Sequence, residues 1–258
     1  MRKALVGATG FVGTTLQTQT QFNDHYNSSN IEEIRGKSYD LLICAAAPAT
    51  KWKANQYPAE DIANIQSLMR HLSTATTRQF LLISTIDVYP NPVEVDEDTA
   101  IQPELSQAYG KHRYILEDFA RQSFPAHSIV RLPGLFGNGL KKNFIYDLIH
   151  SNCLHLTHCH SIYQFYNLER LWKDLQVVIE NKLPLTNFAT EPVRAQDVAQ
   201  QCFNLAFDNV TDAGPVQYDM RTKFASQFGS NTKYFFSSEE TFSQIRQFAS
   251  NQKRAVGL

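Results

Sequence analysis

Three glycines spaced three apart stand near the start of the chain: Gly7, Gly10 and Gly13, in the stretch VGATGFVG. They follow the apolar run Ala4-Leu5-Val6, which reads as a buried strand. They lead into Phe11 to Leu16, which reads as the first turns of a helix. In a strand–turn–helix the three have separate tasks. Gly7 allows the tight turn, Gly10 lets a pyrophosphate approach the backbone, and Gly13 lets the helix pack closely on the strand. Phosphates would sit on N–H groups at the positive end of that helix. The position directly behind a strand separates this triplet from an ordinary glycine-rich turn. A second reactive-looking cluster spans residues 153–160, with Cys153, His155, His158, Cys159 and His160. On a strand, Cys153, His155 and Cys159 would share a face. Their spacing matches no common zinc pattern, so a polar hairpin tip is expected there and no metal.

The elements that must position such a site follow from the apolar spacing. After the first helix, a second strand is expected to end near Tyr26 to Ser29. An acidic residue at that place holds the ribose 2′-hydroxyl in dinucleotide-binding folds. Here Asn27, Ser28 and Ser29 stand there, and no carboxylate comes before Glu32 and Glu33, which suit the start of a short helix from Ile31 to Arg35. No arginine stands there either, so the choice between NAD and NADP is open. Asp40 to Ala47 is the next buried strand, with Cys44 as a core residue and small residues at its end. Pro58 begins a helix with Ile62, Ile65, Leu68, Met69 and Leu72 at helical spacing. Phe80 to Thr85 is a strand ending in two hydroxyls, followed by an acidic run, Glu94 to Asp98, expected to be a solvated loop face. Ser106 is the expected cap of a helix from Gln107 to Arg121, and His127 to Leu132 is a strand closed by Pro133-Gly134. Strands and helices alternate, which predicts an α/β fold with a doubly wound parallel sheet. Ligands of such sheets lie beyond the carboxyl ends of the strands, where Gly10, Ala46, Thr85 and Pro133 fall together.

From Gly137 the pattern changes. Helices are expected over Lys141 to His150, Leu168 to Glu180, Gln196 to Phe207 and Thr241 to Phe248. Cys153 to Tyr166 alternates like a hairpin, and Leu185 to Ala189 can return to the sheet. The expected division is a nucleotide-binding domain over residues 1–136, completed by about 165–190, and a smaller, mostly substrate-side domain over 137–258.

The 258 residues are enough for one large domain or a domain with an annex. Hydrophobic residues make up 43%, which supports a full core and excludes wholesale disorder. Lysine and arginine number 24 against 25 acidic residues, so no basic stripe points to nucleic acid. No apolar run has the length of a bilayer span, and the glycines interrupt any signal-like segment. Four cysteines in a chain of this size form no disulfide framework, so the expected place is a reducing cytoplasm.

Four pieces now stand in order: GATGFVG at 7–13, STIDVY at 84–89, YGKHR at 109–113 and RLPGLFG at 131–137. This set resembles the extended short-chain dehydrogenase/reductases, the NAD-dependent epimerase/dehydratase family. That family shows a Gly-x-x-Gly-x-x-Gly turn, a Ser-Ser/Thr-x-x-Val-Tyr strand end, a Tyr-x-x-x-Lys helix and an Arg-x-x-x-x-x-Gly strand exit. The resemblance covers residues 1–140 and thins beyond.

The resemblance implies roles. Tyr109 would be the acid/base exchanging a proton with a sugar hydroxyl while hydride moves to or from NAD or NADP. Thr85 would bind the substrate oxygen, with Asp87 and Asn143 also on the substrate. Gly7, Thr9, Gly10, Phe11, Val12, Gly13, Ala45, Ala46, Ser84, Tyr109, Arg113 and Pro133 would line the cofactor. Ser84 and Asn64 match supporting positions, while Arg131 is read as structural. The family's lysine one helical turn after the tyrosine is Arg113 here, which can supply charge and bond ribose hydroxyls but cannot give up its proton. Lys111 should face elsewhere. Where the family's 4,6-dehydratases carry Thr-Asp-Glu, this chain has Thr85-Ile86-Asp87, which argues against full dehydratase chemistry and leaves Asp87 a turn-stabilising role. From Gly7 to Ala47 is only forty positions, about one strand–helix unit short of the usual first half.

The expectation is an NAD(P)-dependent oxidoreductase or epimerase acting on a small molecule, with a nucleotide-linked sugar as the class the resemblance implies, and with no nucleic-acid or membrane partner. The helices at 58–72 and 107–121 correspond to those that pair in family homodimers. Two rival readings stand beside it: a non-catalytic dinucleotide-binding sensor, and a reductase of a non-sugar carbonyl compound.

Overall fold

A computed structural model describes residues 1–256. In chain order its elements are β1 (Lys3–Val6), α1 (Phe11–Gln19), β2 (Asp24–Tyr26), β3 (Ser38–Cys44), α2 (Lys51–Gln56), α3 (Pro58–Leu72), β4 (Thr76–Thr85), β5 (Val93–Val95), α4 (Ala108–Ser123), β6 (His127–Leu132) and β7 (Gly134–Phe136). They continue with α5 (Phe144–His150), β8 (Ile162–Tyr163), β9 (Phe165–Asn167), α6 (Leu171–Glu180), β10 (Leu185–Asn187), β11 (Val193–Arg194), α7 (Ala195–Phe203), β12 (Asp219–Met220) and α8 (Ser238–Val256). The chain divides into two compact units. One comprises residues 1–91, 98–132 and 171–186, and the other, among the described residues, 92–97, 133–170 and 187–256.

The first unit is built on a six-stranded sheet in the order β10-β6-β4-β3-β1-β2. The pairings among β2, β1, β3, β4 and β6 are all parallel. Leu41 to Cys44 and Phe80 to Ile83 are continuous apolar runs because helices cover both faces, and every one of these residues is buried. One face packs Leu42, Cys44, Phe80 and Leu82 against Ile65, Leu68 and Leu72 of α3 and Leu116 and Ala120 of α4. Burial pushes the Cys44 thiol up to about 12, so it is an inert core residue. Pro58 occupies the first turn of α3, with Glu60 and Asp61 where negative charge suits the helix start. Outboard of β1 lies only β2, followed by a single 3-10 turn at Ile31–Ile34. This is the shortened half that the forty-residue spacing predicts.

Three strand pairs hold the second unit: parallel β7 with β9, antiparallel β8 with β11, and parallel β5 with β12. Phe136, Phe144, Phe165, Phe242, Ile245 and Phe248 fill its core with residues of α7. Two expectations are corrected here. Residues 153–166 form no hairpin. Cys153 takes a left-handed conformation before a 3-10 turn at Leu154–Leu156, and β8 and β9 pair with different strands. The acidic run is a solvated loop face only in part: Glu94 and Asp98 are exposed, and Glu97 is not. Val93–Val95 pairs with β12, and Glu97 accepts bonds from Asn187 N, Thr222 Oγ1 and Lys223 N. Backbone donors that need an acceptor, rather than solvent, explain that carboxylate. Among the described residues no cluster of His, Cys, Asp and Glu is arranged to hold a metal ion, and no helix is long and apolar enough to cross a membrane.

Candidate active site

The glycine turn is dictated by backbone contact. Gly7 has φ +91°, a left-handed value, and a Cβ there would lie 2.4 Å from the Ala45 carbonyl oxygen. A Cβ on Gly13 would lie 2.0 Å from Gly7 O, so α1 seats directly on the turn. Gly10 is different: it is exposed, and a Cβ would meet nothing closer than 3.4 Å. Gly10 therefore faces open space at the start of α1, where no side chain caps the helix and no acidic residue stands in the first turn. Thr9 is exposed, and Phe11 and Val12 are half-buried beside it. A nine-residue helix presenting uncapped N–H groups to open space fits a pyrophosphate. At the end of β2 the donors and acceptors are satisfied locally. Asn27 N bonds Asn30 Oδ1, and Asn27 Oδ1 accepts from Ser29 N and Oγ. No charged group there reads a ribose hydroxyl or phosphate. The cradle thus fits the phosphates and leaves NAD and NADP equivalent.

Tyr109 lies in the first turn of α4, only 9% exposed. Gly110 makes this placement possible, since a Cβ there would lie 1.9 Å from Asp87 O. The helix start thus meets the turn Ile86–Val88 at the end of β4. The Thr85 hydroxyl hydrogen-bonds the Tyr109 phenol oxygen, and Thr85 Oγ1 accepts from Asp87 N at 3.2 Å. Burial pushes the phenol above its ordinary range, with the charge of Asp87 adding to this. Arg113, Thr85 and Lys51 pull it down without cancelling the rise. The phenol is therefore held protonated at neutral pH.

Arg113 is 2% exposed and its guanidinium carbon sits 4.1 Å from the Tyr109 ring centroid. It thus supplies charge across the ring face. Its terminal nitrogens are already committed: Nη1 to Asp61 Oδ2 and Tyr109 O, Nη2 to Asp61 Oδ1 and Pro48 O. The expectation that this guanidinium bonds ribose hydroxyls is not what the packing offers, and its buried Nε has no hydrogen-bond partner among the described residues. The reason is Asp61, buried on α3 and also 2.7 Å from His112 Nδ1. Burial pushes the Asp61 carboxyl up, but the bonds from Arg113 and His112 outweigh it and hold it below the usual carboxylate range.

A second buried network underlies the site. Arg131 donates to both oxygens of Glu117, at 2.9 and 2.6 Å, and to Tyr89 Oη at 2.7 Å. Ser84 Oγ donates to Glu117 Oε1 at 2.6 Å. Arg131 is structural, as read from the sequence, and the Ser84 hydroxyl belongs to this network. Burial pushes the Glu117 carboxyl up, and Arg131 and the Ser84 bond more than reverse it.

The first unit thus brings together Thr85, Asp87, Tyr109 and Arg113, with Ala45 and Ala46 half-buried after β3. Asn64 is exposed on α3 and lies outside this cluster, and Lys111 is exposed as expected. The cap of α4 is Gln107, not Ser106, whose hydroxyl instead bonds Val88 O. In the second unit, Pro133 is buried between β6 and β7. Asn143, at φ +107°, caps α5 through Tyr146 N and donates to Leu135 O, so its amide is occupied. Sequence reasoning missed α2. Asn55 Oδ1 accepts from Tyr109 N at 2.9 Å, and Lys51 Nζ lies 2.7 Å from Asp87 Oδ1. The available signal was the i,i+4 spacing of Lys51 and Asn55, which puts them on one helix face.

No protein-family model matches the chain and no curated protein is similar to it in sequence. Solved structures are. A UDP-glucose 4-epimerase of Thermotoga maritima with UDP-glucose superposes with TM-score 0.75 at 12% identity, over 99% of this chain and 100% of that one. A dTDP-4-dehydrorhamnose reductase of Bacillus anthracis in complex with NADP gives 0.71 at 19%, over 96% and 98%. MoeE5 in complex with UDP-glucose and NAD gives 0.74 at 14%, over 98% and 99%. Sequence identities this low speak of fold, and over nearly its whole length the chain has the fold of the extended short-chain dehydrogenase/reductases.

Proposed function

We propose that the chain is an NAD(P)H-dependent reductase of a carbonyl group on a nucleotide-linked sugar. The protonated Tyr109 phenol, bonded to Thr85 and covered by Arg113, carries this reading. Reduction of a carbonyl needs an acid beside the oxygen, and a phenol kept above its ordinary range is in the donating form. Thr85 orients the same oxygen and passes its own proton to no one. Arg113 stabilises the phenolate left behind, and Asp61 keeps the guanidinium over the ring. Gly10 and the start of α1 hold the cofactor's pyrophosphate, and NAD(P)H supplies the hydride when bound. Solved structures of like fold that carry UDP-glucose with NAD, or NADP in a dTDP-sugar reductase, support the substrate class.

A non-catalytic dinucleotide-binding protein is favoured by one observation, the commitment of every terminal Arg113 nitrogen inside the fold. Mixing the protein with NADH or NADPH and a panel of nucleotide-linked 4-ketosugars separates the two. Oxidation of the cofactor in step with sugar reduction is expected. Micromolar cofactor binding with no oxidation across the panel would reject the reductase in favour of the binding protein.

A further inference from the structure

The helix α2 brings a cation to the tyrosine that no motif announces. Lys51 and Asn55 lie four residues apart on one face of α2. Asn55 is tied to the start of α4 twice, through Tyr109 N at 2.9 Å and through its Nδ2 to Gln107 Oε1 at 2.6 Å. Lys51 reaches from the same face to Asp87 Oδ1 at 2.7 Å. Asp87 in turn follows Thr85, the hydrogen-bond partner of the phenol, and its carbonyl oxygen touches the glycine next to Tyr109. The face of α2 is thereby docked on the acid's immediate surroundings.

The charges around Tyr109 divide into two kinds. From α4 comes Arg113, buried and neutralised by Asp61 of α3, which also holds His112. From the Ile86–Val88 turn comes Asp87, and from α2 comes Lys51. The Arg113–Asp61 pair is sealed, so its contribution is fixed. The Lys51 and Asp87 side chains are 45% and 19% exposed, so that pair opens and closes at small cost. A guanidinium cannot deprotonate, whereas an ammonium on a flexible stem can move and titrate.

We propose that Lys51 is a positioning residue that tunes the ionisation of Tyr109, by neutralising Asp87 on the turn against which the tyrosine's helix starts. While Lys51 sits on Asp87, the negative charge beside the phenol is cancelled. When it leaves, that neutralisation by the ammonium is lost and the phenol is held more firmly protonated. Lys51 thus supplies a movable positive charge beside the acid, whereas Arg113 is locked to Asp61 and Pro48. Both Lys51 and Asp87 lower or raise the phenol in the sense this requires. The inference rests on the reading of Tyr109 as the proton donor, but its test needs neither cofactor nor substrate, so the two stand or fall separately.

The test is a titration followed by fluorine NMR on the full chain with fluorinated tyrosine, which acidifies the phenols and keeps the titration below the pH at which the fold is at risk. The Tyr109 resonance is assigned by its loss in Tyr109→Phe. Lys51→Met is expected to raise the Tyr109 midpoint by about half a unit or more, and Asp87→Asn to lower it by a similar amount. The double variant should return close to the wild-type midpoint, because each change removes what the other compensates. A Tyr109 midpoint unmoved by Lys51→Met, with the other tyrosine resonances also unmoved and the protein folded, would overturn the proposal. Lys51→Arg, which keeps the charge, should restore the wild-type midpoint; failure to do so in a folded variant would equally overturn it.

Discussion

Tyr109 is pulled in two directions, and the balance sets its chemistry. Burial and Asp87 raise the phenol; Arg113, Thr85 and Lys51 lower it without prevailing. A group raised in the folded state is bound to its proton over a wider pH range than in the unfolded chain. The donating form should therefore persist through neutrality, and stability from this group should be present below about pH 10 and be lost as pH rises through the higher folded value. The rate of carbonyl reduction is accordingly expected to be flat across neutral pH and to fall only on the alkaline side, as a steady-state pH profile would show. Glu117 is the opposite case, held below the usual carboxylate range by Arg131 and Ser84. Its contribution is complete above about pH 4.3 and is lost as pH falls through the depressed folded value. Replacing Glu117 with Gln leaves Arg131 buried without its counter-charge. The expected cost is about 3–5 kcal/mol, read as a shift of the urea midpoint. A loss within about 0.5 kcal/mol would show that the pair carries little of the fold.

At the scale of elements, the glycines decide how close backbones come. Gly13→Ala places a Cβ 2.0 Å from Gly7 O, so the turn and α1 must separate. Overpacking of this kind costs on the order of 1–3 kcal/mol. Calorimetry should find NAD(P)H binding weakened in this variant. Much of this frame was legible in the sequence. The run Phe80 to Thr85, the Pro58 start of α3 and the Gly7–Gly13 turn announce themselves because local spacing and backbone sterics determine them. What stayed hidden depends on partners distant in sequence. Arg113 reads as a site cation until Asp61 is seen beside it. The acidic run reads as solvated until Glu97 is found taking backbone donors 90 and 126 residues away. The short helix α2 has no apolar period, so the i,i+4 spacing of Lys51 and Asn55 is the sole local signal for them, and it does not say what they face. The cysteine–histidine stretch alternates like a strand, yet Cys153 turns left-handed and ends that pattern.

For the molecule as a whole, the shortened half of the sheet has a consequence for cofactor binding. A single strand, β2, lies outboard of β1, and its end offers amides and hydroxyls already bonded to one another. Adenosine should therefore add little to affinity, and most of the binding should come from the pyrophosphate on α1 and from the nicotinamide side. Reduced nicotinamide mononucleotide is expected to bind within about tenfold of NADH, a difference of roughly 1.4 kcal/mol. A gap of a thousandfold in calorimetry would place a well-formed adenine pocket where the fold provides none. NADH and NADPH should likewise differ little.

The central claim is that Tyr109 gives its proton to a carbonyl reduced by a dinucleotide seated on the glycine turn. The most direct measurement compares wild type and Tyr109→Phe for both NAD(P)H affinity and the rate of single-turnover hydride transfer to a nucleotide-linked 4-ketosugar. The rate is predicted to fall by about 10²–10⁴-fold while the cofactor dissociation constant stays within about twofold. Equal rates in the two proteins would contradict it.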